Sequence, residues 1–265
     1  MLDILYHDEW LVAVHKPSGL LVHRTAIDPR EGRFAMQMVR DQIGQRVYPV
    51  HRLDKGTSGV LLFALDRPSA ASLCGAFEHR DVGKRYMAIV RGHPPEEGRI
   101  ELDLKRPSRR QSADDEQGST DEMQSARTSY RRLGTTTLPY QIDNYPTSRY
   151  ALMELCPETG RQHQLRRHLK HIAHPIIGDG THGAGRHNQL FDRLFGYRRL
   201  MLACTLLDVP HPEDGRRLTI RCPLADDFMQ VVEQLPWHED MSAVRSDLPE
   251  GFRQDALALQ TPSFS

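Results

Sequence analysis

The sequence has no excess of either charge: 35 Lys plus Arg balance 35 Asp plus Glu over 265 residues, which argues against a generic nucleic-acid binder. It has no apolar run near the ~20 residues of a membrane span. Cysteine is scarce, with Cys74, Cys156, Cys204 and Cys222 far apart and no CxxC pair. Zinc ribbons and redox motifs therefore lack support, and buried free thiols in a reducing compartment are expected. No GxGxxG or Walker A sequence is present, so no nucleotide cofactor is indicated. The start, MLDILYHDEW, has acids and no basic segment before an apolar block, unlike a secretory signal. These absences together predict a soluble, cytoplasmic protein.

What is present is concentrated. Hydrophobic residues make up only 38% of the chain but fall in short runs, which allows a sizeable core. The charges are segregated: from Arg161 to Arg199 there are eight Lys or Arg against Asp179 and Asp192. From Leu224 onward there are eight Asp or Glu against Arg245 and Arg253. One region can thus meet an anionic partner while the total stays neutral.

Turn signals and periodicity predict strands at Leu11–Val14, 59–66, Lys84–Gly92 and Arg149–Cys156, and in RRLMLACTLLDV and RLTIRC. The run GVLLFALD is apolar without interruption, as expected of a strand buried on both faces. Helices are predicted over Phe34–Gly44, after Pro68 with Leu73 and Phe77 on one face, from about Arg161 to Pro175, and in LADDFMQVVEQL. Strands outnumber helices and show no regular βαβ cadence, which favours an α+β fold with a large, mainly antiparallel sheet. The polar segment Lys105–Gln124 has almost nothing to bury and reads as a mobile loop or insertion. One domain over residues 1–237 is expected, followed by a poorly ordered tail at 238–265.

Two segments could carry chemistry. In HRLDKGTSGVLLFALD, Asp54 precedes a turn and a buried strand, so its backbone is anchored while its side chain can face a cleft. A partly desolvated carboxylate beside a cation suits a covalent nucleophile. The plainer reading is an Asp that caps a turn and pairs with Arg52. In GRQHQLRRHLK, helical spacing puts Gln162, Leu165, Arg166 and Leu169 on one face and leaves Arg161, Arg167 and Lys170 where phosphates can reach them. The plainer reading is an ordinary basic helix face. His163, His168, His171 and His174 invite a metal reading. No HExxH is present and Arg and Lys intervene, so no metal site is expected, and hydrogen bonds to phosphate or backbone suit these histidines better. Tyr86 in KRYMAIVRG reads as a core aromatic on spacing alone.

Taken in order, HKPSGLLVH, HRLDKGTSGVLLFA, KRYMAIVRG, GRQHQLRRHL and HPIIGD resemble the RluA-type family of pseudouridine synthases. DEWLVAVHKPSG, MQMVRDQIGQ, YPTSRYALMEL and LRRHLKHIAHPIIGDGTHG are similar to its tRNA-specific C type, which acts on the uridine at position 65 of certain tRNAs. The resemblance implies the pseudouridine synthase fold with a central catalytic cleft, and a monomer that needs neither metal nor organic cofactor. It implies that Asp54 attacks the target nucleotide, that Arg166 pairs with Asp54, and that Tyr86 packs against the base and assists proton movement. Arg52 would fill the space left by the flipped uridine, and Arg161, His163, Arg167 and Lys170 would contact RNA. A ribosomal RNA substrate, and an RNA-binding or chaperone protein that has lost catalysis, remain as alternatives. A nucleoside or glycoside hydrolase would want a second carboxylate near Asp54, which the motif does not supply. Ala203 stands where relatives commonly carry histidine.

Overall fold

The seven residues Ser58–Ala64 are all buried, and the rest of the molecule is arranged around them. Burial of a side chain such as Leu61, Leu62 or Phe63 is worth about 1.5–3 kcal/mol each. The structure, a computed structural model, describes residues 1–23, 32–106 and 122–238. In chain order its elements are β1 (Ile4–His7), β2 (Leu11–Lys16), α1 (Ala35–Ile43), β3 (Tyr48–Pro49), β4 (Ser58–Ala64) and α2 (Arg67–Glu78). Next come β5 (Gly83–Arg91), β6 (Glu97–Glu101), β7 (Leu104–Lys105), β8 (Met123–Gln124), β9 (Arg127–Leu138) and β10 (Ser148–Pro157). The last are α3 (Gln164–His171), α4 (Gly185–Phe195), β11 (Leu202–Pro210), β12 (Arg217–Arg221) and α5 (Asp226–Gln234).

Ten strands form one sheet in the order β1-β2-β4-β11-β5-β10-β9-β6, with β3 added to β4 and β12 to β11. All its pairings are antiparallel except β4 with β11. This is the mixed, mainly antiparallel sheet of an α+β fold. The parallel contact is short, Ala203 opposite Ser58 and Cys204 opposite Gly59, and it joins the two halves of the sheet. Gly59 has φ 111°, and a Cβ there would lie 2.0 Å from the Cys204 carbonyl oxygen, so a side chain would force the halves apart. One apolar cluster is shared by β5, β10, β11, α3, α4 and α5, and a second by β2, β4, α2 and β11.

Local signals explain several boundaries. Asp66 accepts a hydrogen bond from the Ser69 amide at 2.7 Å and caps α2, an arrangement worth about 1 kcal/mol. Gly44, at φ 72°, closes α1. The helix expected from Arg161 is shorter: His163 takes a left-handed backbone, so α3 starts at Gln164 and ends at His171. Gln162 therefore lies outside the helix and is exposed, and Gln164 takes the buried position instead. The ends of the polar Lys105–Gln124 segment pair as the β7–β8 ladder, while 107–121 lie outside the described residues. Of the expected tail, His238 donates its amide to the Thr135 carbonyl at 2.9 Å, and 239–265 lie outside the described residues. Among the described residues no helix is long and apolar enough to cross a membrane.

Candidate active site

The loop between β3 and β4 is fixed from below before Asp54 is placed. Val50 and Leu53 anchor it in the core, and the Thr57 amide closes a turn onto the Asp54 carbonyl at 3.1 Å. Lys16, at the end of β2, is fully buried and donates to the carbonyls of Pro17 (2.9 Å), Leu20 (2.7 Å) and Lys55 (3.1 Å). Ser18 Oγ donates to the Gly56 carbonyl at 2.7 Å and the Gly19 amide to that of Lys55 at 2.8 Å. The turn after β2 is thus stitched to the residues just after Asp54. Burial pushes the Lys16 ammonium down to about 7, against the opposing pull of the Asp54 charge.

Helix α3 is fixed as firmly. Gln164 is buried with its amide fully used: Oε1 accepts from Thr159 Oγ1 (2.7 Å) and the Arg161 amide (3.0 Å), and Nε2 donates to the Arg127 carbonyl (2.9 Å) and Thr128 Oγ1 (3.0 Å). His168 is buried against Thr128 Oγ1 and the Leu102 carbonyl. Arg166 is thereby aimed at the Asp54 loop.

Arg166 Nη1 donates to Asp54 Oδ2 at 3.2 Å, across 112 residues of sequence. Its Nε and Nη2 grip Asp179 Oδ2 and Oδ1 at 2.7 and 2.8 Å, a two-pronged charge-assisted pair. The Asp179 side chain is 0% exposed and accepts two further bonds, from the Thr181 and His182 amides at 2.9 and 2.8 Å. Burial alone would raise the Asp179 carboxyl, but Arg166 and the two amides outweigh it and hold it below the usual range. For Arg166, burial lowers and Asp179 and Asp54 raise, with a net rise. Gly178, at φ 79°, lets the Asp179 turn pass the Arg199 backbone, whose carbonyl oxygen would lie 1.7 Å from an added Cβ.

These groups line a cleft of about 550 Å³. Tyr86, on β5, forms part of its wall and lies opposite Cys204 in the pairing of β5 with β11. Burial above all, with the neighbouring Cys204 and the Asp54 charge adding to it, raises its phenol well above the ordinary value, so it is a hydrogen-bond donor at neutral pH. Lys84, two residues earlier, also faces the cleft and donates to the Thr159 carbonyl at 3.3 Å. Val50, Leu53, Phe77, Leu165 and Leu202 give the cleft apolar wall, and Arg52, Arg80 and Arg161 add cations to its lining.

The residues singled out in the sequence divide cleanly. Asp54, Tyr86, Arg166, Arg52, Arg161 and His163 all line this cleft. Asp54 pairs with Arg166 rather than with Arg52, which is exposed at the rim. Arg167 points away, donating to the Lys105 carbonyl at 3.1 Å, and Lys170 is exposed beyond the cleft. His174 bonds to the Arg91 carbonyl at 2.8 Å, and no group of three potential metal ligands is found among the described residues. Sequence reasoning missed Asp179, Lys16 and His182. Each lies in a segment read as a motif, but nothing in spacing shows that Asp179 would occupy Arg166 from behind. Asp179 does supply a second carboxylate, yet both its oxygens are occupied and sealed from solvent, so it does not meet the needs of a hydrolase acid.

A model of RNA pseudouridylate synthases matches residues 10–171. A Vibrio vulnificus protein named tRNA pseudouridine synthase C is 46% identical over 237 residues, which are 89% of this chain and 96% of that protein. Among solved structures, human RNA pseudouridylate synthase domain containing 1 aligns with a TM-score of 0.67 at 25% identity, covering 93% of this chain and 94% of the other. Human RNA pseudouridylate synthase domain containing 4 aligns at 0.64 and 28%, covering 88% and 94%.

Proposed function

The chain belongs to the RNA pseudouridylate synthase family, an enzyme that isomerises uridine to pseudouridine, and from that premise we propose that its substrate is a uridine of tRNA and its nucleophile Asp54. The observation that carries the reading is the Asp54–Arg166–Asp179 chain at the base of the cleft. Asp54 is the carboxylate of that chain that reaches the cleft, with one oxygen held by a cation that is itself immobilised from behind. Such a group is preorganised for attack at the sugar, directly at C1′ or after a glycal-forming step. The freed uracil turns over against Tyr86, and C5 replaces N1 on C1′. Asp54 then leaves as the carboxylate it was.

A uridine in a stem must first leave the stack, at a cost of a few kcal/mol. Arg52, free at the rim, is placed to stack in the gap and touch phosphate, and Arg161 extends the cationic border. The relatives named for tRNA favour tRNA over ribosomal RNA, and the resemblance to the C type favours the uridine at position 65. One catalytic domain over residues 1–237, acting as a cytoplasmic monomer, completes the proposal. The test is to map pseudouridine in total RNA from cells lacking the gene, then to restore wild type or Asp54→Asn. Loss of one tRNA site, regained only with wild type, supports it; loss confined to ribosomal RNA overturns the substrate.

A further inference from the structure

Replacing the C1′–N1 bond by C1′–C5 moves protons as well as carbon. C5 carries a hydrogen in uridine and none in pseudouridine, whereas N1 gains one. Some group in the cleft has to accept the C5 proton. Tyr86 is already protonated, and His51 has Nε2 taken by the Leu62 amide at 3.0 Å with its ring stacked on Phe77. Lys84 donates to the Thr159 carbonyl. Asp54, released from C1′ when C5 attaches, has its Oδ2 held by Arg166 at 3.2 Å. Glu158, also on the cleft, is held by Arg99 at 3.0 Å, and Glu78 is exposed to solvent, which leaves His163, beside Asp54.

Its geometry fits the task. His163 Nε2 lies 3.9 Å from Asp54 Oδ2, the carboxylate assigned to the sugar. Its other nitrogen, Nδ1, lies 3.2 Å from His182 Nε2, with the rings edge to face at 76°. Two imidazoles joined in this way must be one donor and one acceptor. His182 is only half-buried, and its amide bonds to Asp179, so the pair is tied to the same chain that holds Arg166. The backbone of His163 adopts φ 53°, a conformation seldom taken by residues other than glycine and often found where function dictates it.

We propose that His163 and His182 form the proton-transfer pair of the isomerisation, His163 accepting the C5 proton and His182 linking it to solvent. The C5–H bond breaks and its electron pair becomes the C5–C6 double bond, while the C6–N1 pair moves onto N1, which takes a proton from water. The C5 proton lands on His163 Nε2, the Nδ1 proton passes to His182 Nε2, and His182 yields its own Nδ1 proton to water. One proton is lost and one gained, so the sum is unchanged. Both rings must begin neutral, and their surroundings favour that. Burial lowers His163, as do Arg166 and Arg167, against Asp54 and Asp179. Burial lowers His182, as do Arg166, His163 and Lys170, against Asp179. His163 is therefore a catalytic residue, and His182 acts through it.

The inference rests on the uridine-isomerising reading, and the experiment separates the two. Single turnovers are followed with saturating enzyme on tRNA bearing hydrogen, deuterium or tritium at C5 of its uridines. His163→Gln is expected to slow conversion about 10²-fold, the range of general acid–base catalysis, and His182→Gln roughly tenfold. Both should leave tRNA affinity within a few-fold, make the C5-deuterium isotope effect larger, and flatten the acid limb of the rate profile. His163→Gly takes the left-handed backbone without strain, and added imidazole should restore its rate. Rates within twofold of wild type, or slow variants with no isotope effect, no change in pH profile and no imidazole rescue, overturn the proton pair. Wild type that releases no tritium and forms no pseudouridine overturns the functional reading itself.

Discussion

Arg166 gives two of its nitrogens to Asp179, at 2.7 and 2.8 Å, and only one to Asp54, at 3.2 Å. The cation that faces Asp54 is thus set by a carboxylate behind it. Asp179→Asn should leave Arg166 buried with half its counter-charge and free to swing. A displacement of even about 1 Å at such a site can cost 10²-fold in rate, and breaking a buried pair costs about 3 kcal/mol. Urea melts and single-turnover conversion measure both, and a variant unchanged in each would show that Asp179 is a bystander.

The same pair predicts an acid limit to stability. The Asp179 carboxyl lies below its usual 3.8 in the folded protein, burial being outweighed by Arg166 and two amides. Its contribution is therefore present above the unfolded value and lost as pH falls through the folded one. The gap in melting temperature between wild type and Asp179→Asn should narrow as pH drops below 3.8. A gap that stays constant down to the acid-unfolding limit would contradict this.

Lys16 should matter to stability more than to RNA. Replacing it with Met keeps the apolar stem but leaves the Pro17 and Leu20 carbonyls without this donor, while the Lys55 carbonyl keeps the Gly19 amide. Lost hydrogen bonds of this kind cost about 1–3 kcal/mol each when the partner stays buried, so a total of about 2–4 kcal/mol is expected after relaxation. Denaturant midpoints provide the readout, and tRNA affinity should stay within a few-fold.

Arg52→Ala should discriminate between substrates. On folded tRNA it loses the group proposed to fill the vacated stack, whereas a short single-stranded RNA carrying the same uridine has no stack to fill. The expected penalty is roughly tenfold or more on tRNA, a modest part of the few kcal/mol needed to extrude a base, and near none on the short RNA. Equal penalties on both would assign Arg52 to plain phosphate binding.

Much of this arrangement is legible in the chain itself. The run GVLLFALD announces β4, and Pro68 with Leu73 and Phe77 announces α2, because burial and capping there are local. Strand β9, RTSYRRLGTTTL, and helix α4 are not foreseen, since their polar residues mask the buried face and only pairing with β10 and packing on the core fix them. The Asp54 motif likewise marks a site, yet the plain local pair with Arg52 is not formed. The partner comes from α3, and its own anchor, Asp179, from the turn after it. Hydrogen bonds across more than a hundred residues are set by the sheet topology that stands between them, which no spacing rule displays.

The central claim is that Asp54 attacks the substrate while Arg166 and Asp179 hold it in place. The direct measurement is tritium release from C5-labelled tRNA by Asp54→Asn, alongside its tRNA affinity. Asparagine preserves size and most contacts but is a far weaker nucleophile. The expected result is no detectable release, with affinity within about tenfold of wild type, since phosphate contacts rather than Asp54 supply binding. Substantial turnover by Asp54→Asn would contradict the account.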